Sequence, residues 1–265
     1  MSTIRPLFRA LCLLAILCLT SVAGRAWAQS AAKADLASAL AILDASSLPS
    51  PVKAQVHKRI DAATEPFLRY LSEALADREA DPMLLFRVDK ARALPEGFAP
   101  GDLVSLDGVG LSVSRAGFSL RRPAFLALKD MSAAARAEGV TLLVSSSYRS
   151  YSYQVEVWKR GVAADGLAAT EASVARAGHS QHQLGTAIDF GSITDAFAQT
   201  RASRWLSANS RRFGFSLSFP KDLTPVTGYK WESWHYRYIG RAAAAMEGEY
   251  FDGVQEYLLA FLEGF

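Results

Sequence analysis

The chain has 265 residues, of which 50% are hydrophobic and 21% are charged, so it is long enough to bury the core of at least one domain. Its formal net charge is +3, and this excess is supplied by Arg5, Arg9 and Arg25, since no acidic residue precedes Gln29. The remaining sequence is balanced in charge, which excludes a nucleic-acid-binding protein that neutralises phosphates with a basic surface.

The first residues of the chain, 1–28, have the features of a secretory signal peptide. Arg5 and Arg9 precede an apolar run from residue 10 to residue 23, and an alanine stands on each side of Trp27. We expect cleavage after Ala28, because an apolar run of this length is too short to favour an uncleaved membrane anchor. The expected location is therefore the periplasm or cell envelope, without membrane contact after cleavage of the signal peptide.

Both cysteines, Cys12 and Cys18, lie in this leader, so the mature chain is expected to form no disulfide. Lipid attachment at Cys18 is disfavoured because Leu17 stands before it, where a small residue would be needed. An exported protein without disulfides must be held together by its apolar core or by a metal.

Residues 29–83 are predicted to form an N-terminal helical region. Apolar residues recur there at three- and four-residue spacing, as in Leu36, Leu40, Leu43, Val52, Val56, Ile60, Phe67, Leu71 and Leu75. The sequence SSLPSP at 46–51 breaks the first helix from the second. We expect these helices to pack on each other or on the main domain, and a partner-binding or spacer role is the alternative.

Residues 84–245 are predicted to form the main domain, in which helices and strands interleave without the regular rhythm of a nucleotide-binding sheet. We expect a helix ending at Gly139, a buried strand in VTLLVSSSYRS, a helix from Tyr153 to about residue 164 and a strand in GTAIDF. A further helix is expected near residues 203–213. The fold class is therefore α+β, with a small, mostly antiparallel sheet flanked by helices. Residues 246–265 are predicted to form a closing helix that packs on this domain.

The segment GHSQHQLGTAIDFG, residues 178–191, contains two histidines and an aspartate. Asp189 has the apolar neighbours Ile188 and Phe190, and His182 lies seven positions before it. An isolated buried carboxylate would cost several kcal/mol, so Asp189 must be paired or must bind a metal. On spacing alone, His179 and His182 are equally good candidates for a metal ligand.

A second segment, WESWHYRY, supplies His235 with Glu232 three residues before it. Two histidines and one aspartate form a three-ligand site with an open fourth position, which is typical of catalytic zinc. Residues three apart on a strand point to opposite faces, so we expect a bend near Ser233 and a strand starting at Trp234. Glu232 is then available as a catalytic base, or is a solvated acid that pairs with a neighbouring cation.

A third segment, SSSYRSYSYQ, places Arg149 at the end of the predicted strand. An arginine there suits a substrate carboxylate or the oxyanion of a tetrahedral intermediate. The alternative is a surface arginine near the start of a helix.

Together these segments resemble a known family. SQHQLGTAID fits the pattern SxHxxGxAxD, and with SYRS upstream and ESWH downstream the chain resembles D-alanyl-D-alanine carboxypeptidases of the LAS metallopeptidase group. The resemblance covers roughly residues 84–240, and three separated motifs in the right order make a chance match improbable. It implies the fold of LAS and hedgehog-like metallopeptidases.

The resemblance also implies roles for individual residues. The zinc ligands would be His182, Asp189 and His235, which leaves His179 outside the ligand set. Glu232 would act as general base and acid, and Arg149 would polarise the scissile carbonyl. Ser180 would help to hold the substrate, and Gln154 would line the same pocket.

Three positions depart from the family pattern. Ser233 stands where proline is usual, Gln181 where glutamate is common, and Ser147 where glycine is frequent. None of the three changes removes a ligand or the base. Loss of the proline is expected to loosen the bend after Glu232, which concerns the turnover rate more than the type of reaction.

The resemblance thus predicts an exported zinc carboxypeptidase whose partners are peptidoglycan stem peptides. The predicted reaction is hydrolysis of the bond to a C-terminal D-alanine, as a D,D- or an L,D-carboxypeptidase. Two alternatives remain, an endopeptidase that cuts cross-links and a non-catalytic, zinc-stabilised module that binds the cell wall.

Overall fold

The computed structural model describes residues 35–265, so the predicted signal peptide and its cleavage site lie outside the described residues. Within the part that is described, no helix has both the length and the apolar character needed to cross a membrane. The fold class predicted from the sequence is confirmed, since small sheets are flanked by helices.

Ten α-helices and seven strands are assigned along residues 35–265. In chain order they are α1 (Leu36–Ala45), α2 (Ser50–Ala62), α3 (Thr64–Ala80), β1 (Leu103–Ser105), β2 (Ser112–Val113), β3 (Ser119–Arg121), α4 (Arg122–Ala137), β4 (Leu143–Ser146), α5 (Tyr151–Asp165), α6 (Leu167–Ser173), β5 (Ala187–Phe190), α7 (Arg201–Asn209), β6 (Phe215–Leu217), α8 (Thr224–Thr227), β7 (His235–Tyr238), α9 (Arg241–Tyr250) and α10 (Gln255–Leu262). Short 3-10 helices span Gln181–Leu184, Asp195–Gln199 and Ser210–Phe213. The predicted break between the first two helices falls between α1 and α2, as expected.

A five-stranded sheet, in the order β2-β4-β5-β7-β6, forms the centre of the main domain. Strands β2 and β4 are parallel, and the other three pairs are antiparallel. The register places Asp189 on β5 opposite both Ser146 on β4 and His235 on β7. Strands β1 and β3 form a separate antiparallel pair.

One face of this sheet packs against α4. Leu128 and Met131 of α4 share an apolar cluster with Ile188, Phe190 and Tyr236 of the sheet, and all five are buried. The sheet is therefore held from one side by an ordinary hydrophobic core, while its polar residues cluster at the ends of the central strands.

The C-terminal segment differs from the single helix predicted for residues 246–265. Helix α9 already begins at Arg241, and a turn in which Asp252 and Gly253 have positive φ angles separates it from α10. Both helices share their core with α1–α3, where Phe67 contacts the rings of Tyr250 and Phe261 at centroid distances of 5.1 and 6.2 Å. Helices α1–α3, α9 and α10 thus form one group, called here the helical unit.

A buried arginine connects the segment that follows α3 to the sheet. Arg237, on β7, is fully buried, and its Nη2 donates hydrogen bonds to the carbonyls of Leu84 at 2.9 Å and Phe86 at 2.8 Å. Burial lowers the pKa of Arg237 to about 10, so the side chain still carries its charge at neutral pH. The strand that begins with His235 is therefore tied to the segment that leaves α3.

Candidate metal centre

Three side chains from separate segments meet between β5, β7 and the 3-10 helix at Gln181–Leu184. They are His182, Asp189 and His235, each of which is buried, and one ligand atom from each lies within 4.8 Å of the others. The register of β5 and β7 brings Asp189 and His235 together, and the 3-10 helix that precedes β5 carries His182.

The turn after His182 depends on glycine. Gly185 ends the 3-10 helix in the left-handed region, with φ 73°, where other residues are strained. A Cβ atom at this position would also lie 2.8 Å from the Cγ of Arg121. Glycine therefore lets the chain reverse from His182 into β5, which explains its place in the motif.

The two imidazoles are oriented by hydrogen bonds on the side away from the aspartate. His182 Nδ1 lies 2.7 Å from the backbone carbonyl of Ser147, to which it can only donate. His235 Nε2 lies 3.1 Å from the side-chain oxygen of Gln181. This arrangement leaves His182 Nε2 and His235 Nδ1 facing Asp189, as lone-pair donors for a metal.

The distances between the facing atoms suit a small cation. His182 Nε2 is 3.2 Å from Asp189 Oδ2, and His235 Nδ1 is 3.0 Å from Asp189 Oδ1. Ligands about 2.0–2.2 Å from a zinc ion in tetrahedral geometry lie at similar separations from one another. Asp189 Oδ1 is buried and has no hydrogen-bond partner among residues 35–265, although it is ionised. These observations fit a divalent metal held by two imidazoles and one carboxylate.

The charge states of the ligands also favour a metal. Burial lowers the pKa of His182 to about 4, and the nearby Arg149 acts in the same direction, so this imidazole is neutral at neutral pH. Burial opposes ionisation of Asp189, yet the pKa of that carboxyl lies well below its usual range, and Arg149 Nη2 donates to it at 2.8 Å. Neutral imidazole and ionised carboxylate are the forms that bind metal.

Glu232 lies beside the three ligands but not among them. The backbone N–H of His235 donates to the Glu232 carbonyl at 3.3 Å, so the chain turns between these residues as the sequence predicted, and β7 begins one residue later than expected. Glu232 Oε2 is 3.6 Å from His235 Nδ1. Burial, with the charge of Asp189, raises the pKa of Glu232 to about 8. A cation at the centre would favour the carboxylate and lower this pKa.

Arg149 lies at the end of β4, as predicted, and its guanidinium reaches the same centre. Its Nη2 donates to Asp189 Oδ2 at 2.8 Å, and its Nε and Nη2 donate to Ser146 Oγ at 3.1 and 2.9 Å. The alternative of a surface arginine is excluded by this contact. In this structure the positive charge pairs with the ligand carboxylate, and the side chain also borders the cavity described next.

A cavity of about 190 Å³ opens onto the centre. Its walls include Glu232, Arg149, Ser180 and the three ligands, together with Tyr229 and Trp234. Ser180 therefore lies where substrate binding was expected, and its Oγ also accepts the backbone N–H of His182 at 3.3 Å. The cavity is large enough for a small peptide end.

Gln154 departs from its predicted place as a lining residue. Its side chain is fully buried, and Nε2 donates at 2.7 Å to the carbonyl of Ala175, which lies in the cavity wall. Gln154 thus supports the wall from behind and is not itself part of the lining. The reason is that α5 turns this side chain inward, toward the loop that carries Ala175.

His179 borders the cavity but belongs to neither the ligand group nor its supports. Its Nδ1 lies 2.8 Å from the carbonyl of Asp89. Sequence spacing could not separate His179 from His182, and the structure separates them because only His182 lies on the 3-10 helix that faces Asp189. The supporting roles of the Ser147 carbonyl and the Gln181 side chain were missed from the sequence.

Comparison with known proteins agrees with this geometry. The family model described as VanY, D-alanyl-D-alanine carboxypeptidase, matches residues 117–241, which include all three ligands and Glu232. A crystal structure of the vancomycin resistance D,D-pentapeptidase VanY, as an E175A mutant in complex with Zn(II), is 35% identical to this chain and superposes with a TM-score of 0.55. The match covers 99% of that chain and 66% of this one. The protein belongs to the VanY carboxypeptidase family.

Other VanY-type structures give similar agreement. The LdcB LD-carboxypeptidase, whose structure concerns peptidoglycan recognition, is 33% identical with a TM-score of 0.59, and the match covers 88% of that chain and 66% of this one. VanYB in complex with D-alanine-D-alanine is 35% identical with a TM-score of 0.54, over 93% of that chain and 64% of this one.

The curated relatives are matched over a smaller share of their length. The D-alanyl-D-alanine carboxypeptidase of Enterococcus faecalis (strain ATCC 700802 / V583) is 41% identical over 126 residues, which are 44% of this chain and 47% of that protein. The YodJ protein of Bacillus subtilis (strain 168) is 36% identical over 169 residues, or 61% of this chain and 62% of YodJ. The matched part of these relatives is thus less than two thirds of their length.

Proposed function

We propose that this VanY-family protein is a zinc-dependent carboxypeptidase that removes the C-terminal D-alanine from peptidoglycan stem peptides. The observation that carries the proposal is the buried group of His182, Asp189 and His235, with Glu232 beside it at the wall of a cavity. Support for zinc and for the substrate class comes from the VanY structure with Zn(II) and the VanYB structure with D-alanine-D-alanine.

The residues around the centre supply the acid–base chemistry of peptide hydrolysis. His182, Asp189 and His235 would hold a zinc ion, which would supply a Lewis acid that activates water near neutral pH and polarises a carbonyl oxygen. Glu232 accepts the proton of the attacking water and then delivers it to the leaving amine. A carboxyl whose pKa is raised by burial toward neutral pH is suited to both steps. Its position 3.6 Å from His235 Nδ1 keeps it next to the reacting atoms without occupying a ligand position.

Arg149 is assigned to stabilisation of the transition state and Ser180 to substrate binding. The guanidinium of Arg149 lies at the cavity wall, where it can stabilise the negative charge that develops on the carbonyl oxygen. Its present hydrogen bond to Asp189 holds it at the edge of the centre. Ser180, in the same wall, offers a hydroxyl to the bound peptide.

We propose that the protein acts in the cell envelope, which is where peptidoglycan lies. The support for export is the leader, with a basic start, an apolar run and small residues around position 28. Mass spectrometry of the protein recovered from the envelope of a bacterial host should show a chain that begins at Gln29. Recovery of the full chain from the cytoplasm would contradict this proposal.

A product assay tests the activity directly. A stem pentapeptide, a tetrapeptide and a cross-linked dimer are incubated separately with the zinc-loaded protein, and the products are identified by mass spectrometry. Release of one D-alanine from the pentapeptide is the expected result, and release from the tetrapeptide would assign L,D activity. Cleavage of the dimer alone would assign an endopeptidase.

Metal removal provides the matching control. Chelation should abolish hydrolysis, and added zinc should restore it, because the ligand group has no other source of a Lewis acid. A protein that binds stem peptides but shows no turnover in either state would be the non-catalytic module.

A further inference from the structure

Behind His235, three buried polar side chains form a closed ring of hydrogen bonds. Ser218 Oγ donates to Gln181 Oε1 at 2.7 Å, Gln181 Nε2 donates to Gln255 Oε1 at 3.2 Å, and Gln255 Nε2 donates to Ser218 Oγ at 3.2 Å. All three residues are at most 9% exposed. Such a ring in a water-poor interior is stable only when each member keeps its orientation.

The ring determines which atom Gln181 presents to the metal ligand. Because its amide nitrogen is used by Gln255, its oxygen faces His235 Nε2 at 3.1 Å. An amide oxygen can only accept, so Nε2 of the imidazole carries a proton. With a metal bound, His235 Nδ1, which faces Asp189 Oδ1 at 3.0 Å, would then supply the lone pair.

The third member of the ring comes from outside the family domain. The VanY family model ends at residue 241, whereas Gln255 is the first residue of α10 in the helical unit. Its neighbours Leu258 and Leu259 are packed in the apolar core that α10 shares with α1–α3. The orientation of Gln255 is therefore set by the helical unit.

We propose that Gln181 is a positioning residue that fixes the tautomer and orientation of His235, and that the helical unit contributes to the metal centre through Gln255. This inference rests on the proposed function only in taking zinc as the metal. It assigns the C-terminal helix a part in metal affinity, beyond packing.

Zinc affinity of the purified protein, measured by competition with a chromogenic chelator, tests the proposal without relying on hydrolysis. Gln181→Met keeps a side chain of similar length but removes the acceptor, and should weaken zinc binding by about 10- to 100-fold, the usual effect of losing a partner of a ligating histidine. Gln255→Met should weaken it by a smaller factor, since Gln181 remains but loses its restraint.

Two further variants separate positioning from general damage. Gln181→Glu keeps an acceptor for Nε2 and should bind zinc at least as tightly as the wild type. If the role of Gln181 were purely structural, the buried carboxylate of this variant would be more damaging than the methionine. Gln183→Met is the matched control, because Gln183 lies on the same 3-10 helix and is also buried, and its hydrogen-bond partners among residues 35–265 are Gly178 and Phe98. It should leave zinc affinity unchanged.

The proton on His235 Nε2 gives a second readout. In NMR spectra of the zinc-loaded, nitrogen-15-labelled protein, this proton should exchange slowly with solvent, and Gln181→Met should speed the exchange. Wild-type zinc affinity and wild-type proton exchange in both Met variants would overturn the proposal, even if hydrolysis of stem peptides were demonstrated. The expected affinities in a protein without hydrolytic activity would support it while refuting the proposed reaction.

Discussion

The metal centre and the helical unit bury residues of opposite character. The helical unit encloses an apolar core built from residues such as Leu43, Phe67 and Phe261. The metal centre instead buries His182, Asp189 and other polar groups, which cost free energy unless they are paired. The difference indicates that the helical unit is built for stability, whereas the polar cluster is retained for what it binds.

Hydrogen bonds nevertheless connect the two regions. Arg237 links β7 to the segment that follows α3, and Gln255 links α10 to the hydrogen-bond ring behind His235. Changes in the metal centre should affect metal binding or catalysis, and changes in the helical core should affect stability.

Replacement of a ligand should have the largest effect. His182→Ala removes one of three protein ligands, so the variant should retain no zinc after dialysis and should lose hydrolysis with it. Metal analysis and the pentapeptide assay measure the two effects. Since His179 lies outside the ligand group, His179→Ala is the control and should keep its zinc. Full zinc occupancy in His182→Ala would assign the metal to other residues.

Replacement of the base should separate metal binding from catalysis. Glu232→Gln keeps the shape of the side chain but cannot accept a proton, so kcat should fall by about 10²- to 10⁴-fold while zinc stays bound. Glu249→Gln, on the exposed side of α9, should leave kcat unchanged. A Glu232→Gln enzyme with wild-type kcat would remove Glu232 from the mechanism.

A cavity in the helical unit should reduce stability without affecting the reaction. Phe67 is fully buried between Tyr250 and Phe261, and Phe67→Ala should cost about 3–5 kcal/mol of unfolding free energy. Urea unfolding measures this loss, and kcat of the folded fraction should remain at the wild-type level. A large fall in kcat would show that the helical unit is coupled to the centre more strongly than through Gln255 alone.

The smallest effect is expected for Glu247, a buried acid at the edge of the helical unit whose titration makes the unfolding free energy depend on pH. Burial raises the pKa of Glu247 above 4.5, although Arg211 and Ser216 oppose this. The folded state therefore binds this proton more tightly than the unfolded state, and the resulting stabilisation is complete below pH 4.5 and lost as pH rises through the folded pKa. Glu247→Gln does not titrate, so its stability relative to the wild type should increase with pH.

Urea unfolding of the wild type and of Glu247→Gln, at a series of pH values from 4.5 upward, measures the difference in their unfolding free energies. The opposite trend would show that the Arg211 pair stabilises the ionised form, and hydrolysis should be unaffected in either case. Such a result would mean that the ion pair between Arg211 and Glu247 stabilises the contact between the helical unit and the main domain.

The sequence by itself determined the helices α1–α3 and the chemical groups of the site. Apolar spacing and the SSLPSP break depend on local geometry, and the family motifs bring His182, Asp189, His235 and Glu232 with them. The expectation of a zinc site and the carboxypeptidase family likewise followed from the motifs. These features could be predicted because each depends on residues that are close together in the chain or on a pattern of residue types.

Only the tertiary structure decided how distant segments support the site. Gln154 was expected in the cavity but lies behind its wall, and Arg149 contacts the ligand carboxylate. Gln255 bonds to Gln181, 74 positions away in the chain. The predicted closing helix is instead two helices, α9 and α10, and both pack on α1–α3. Such contacts leave no local periodicity in the sequence, because they depend on how complete helices and strands pack against one another.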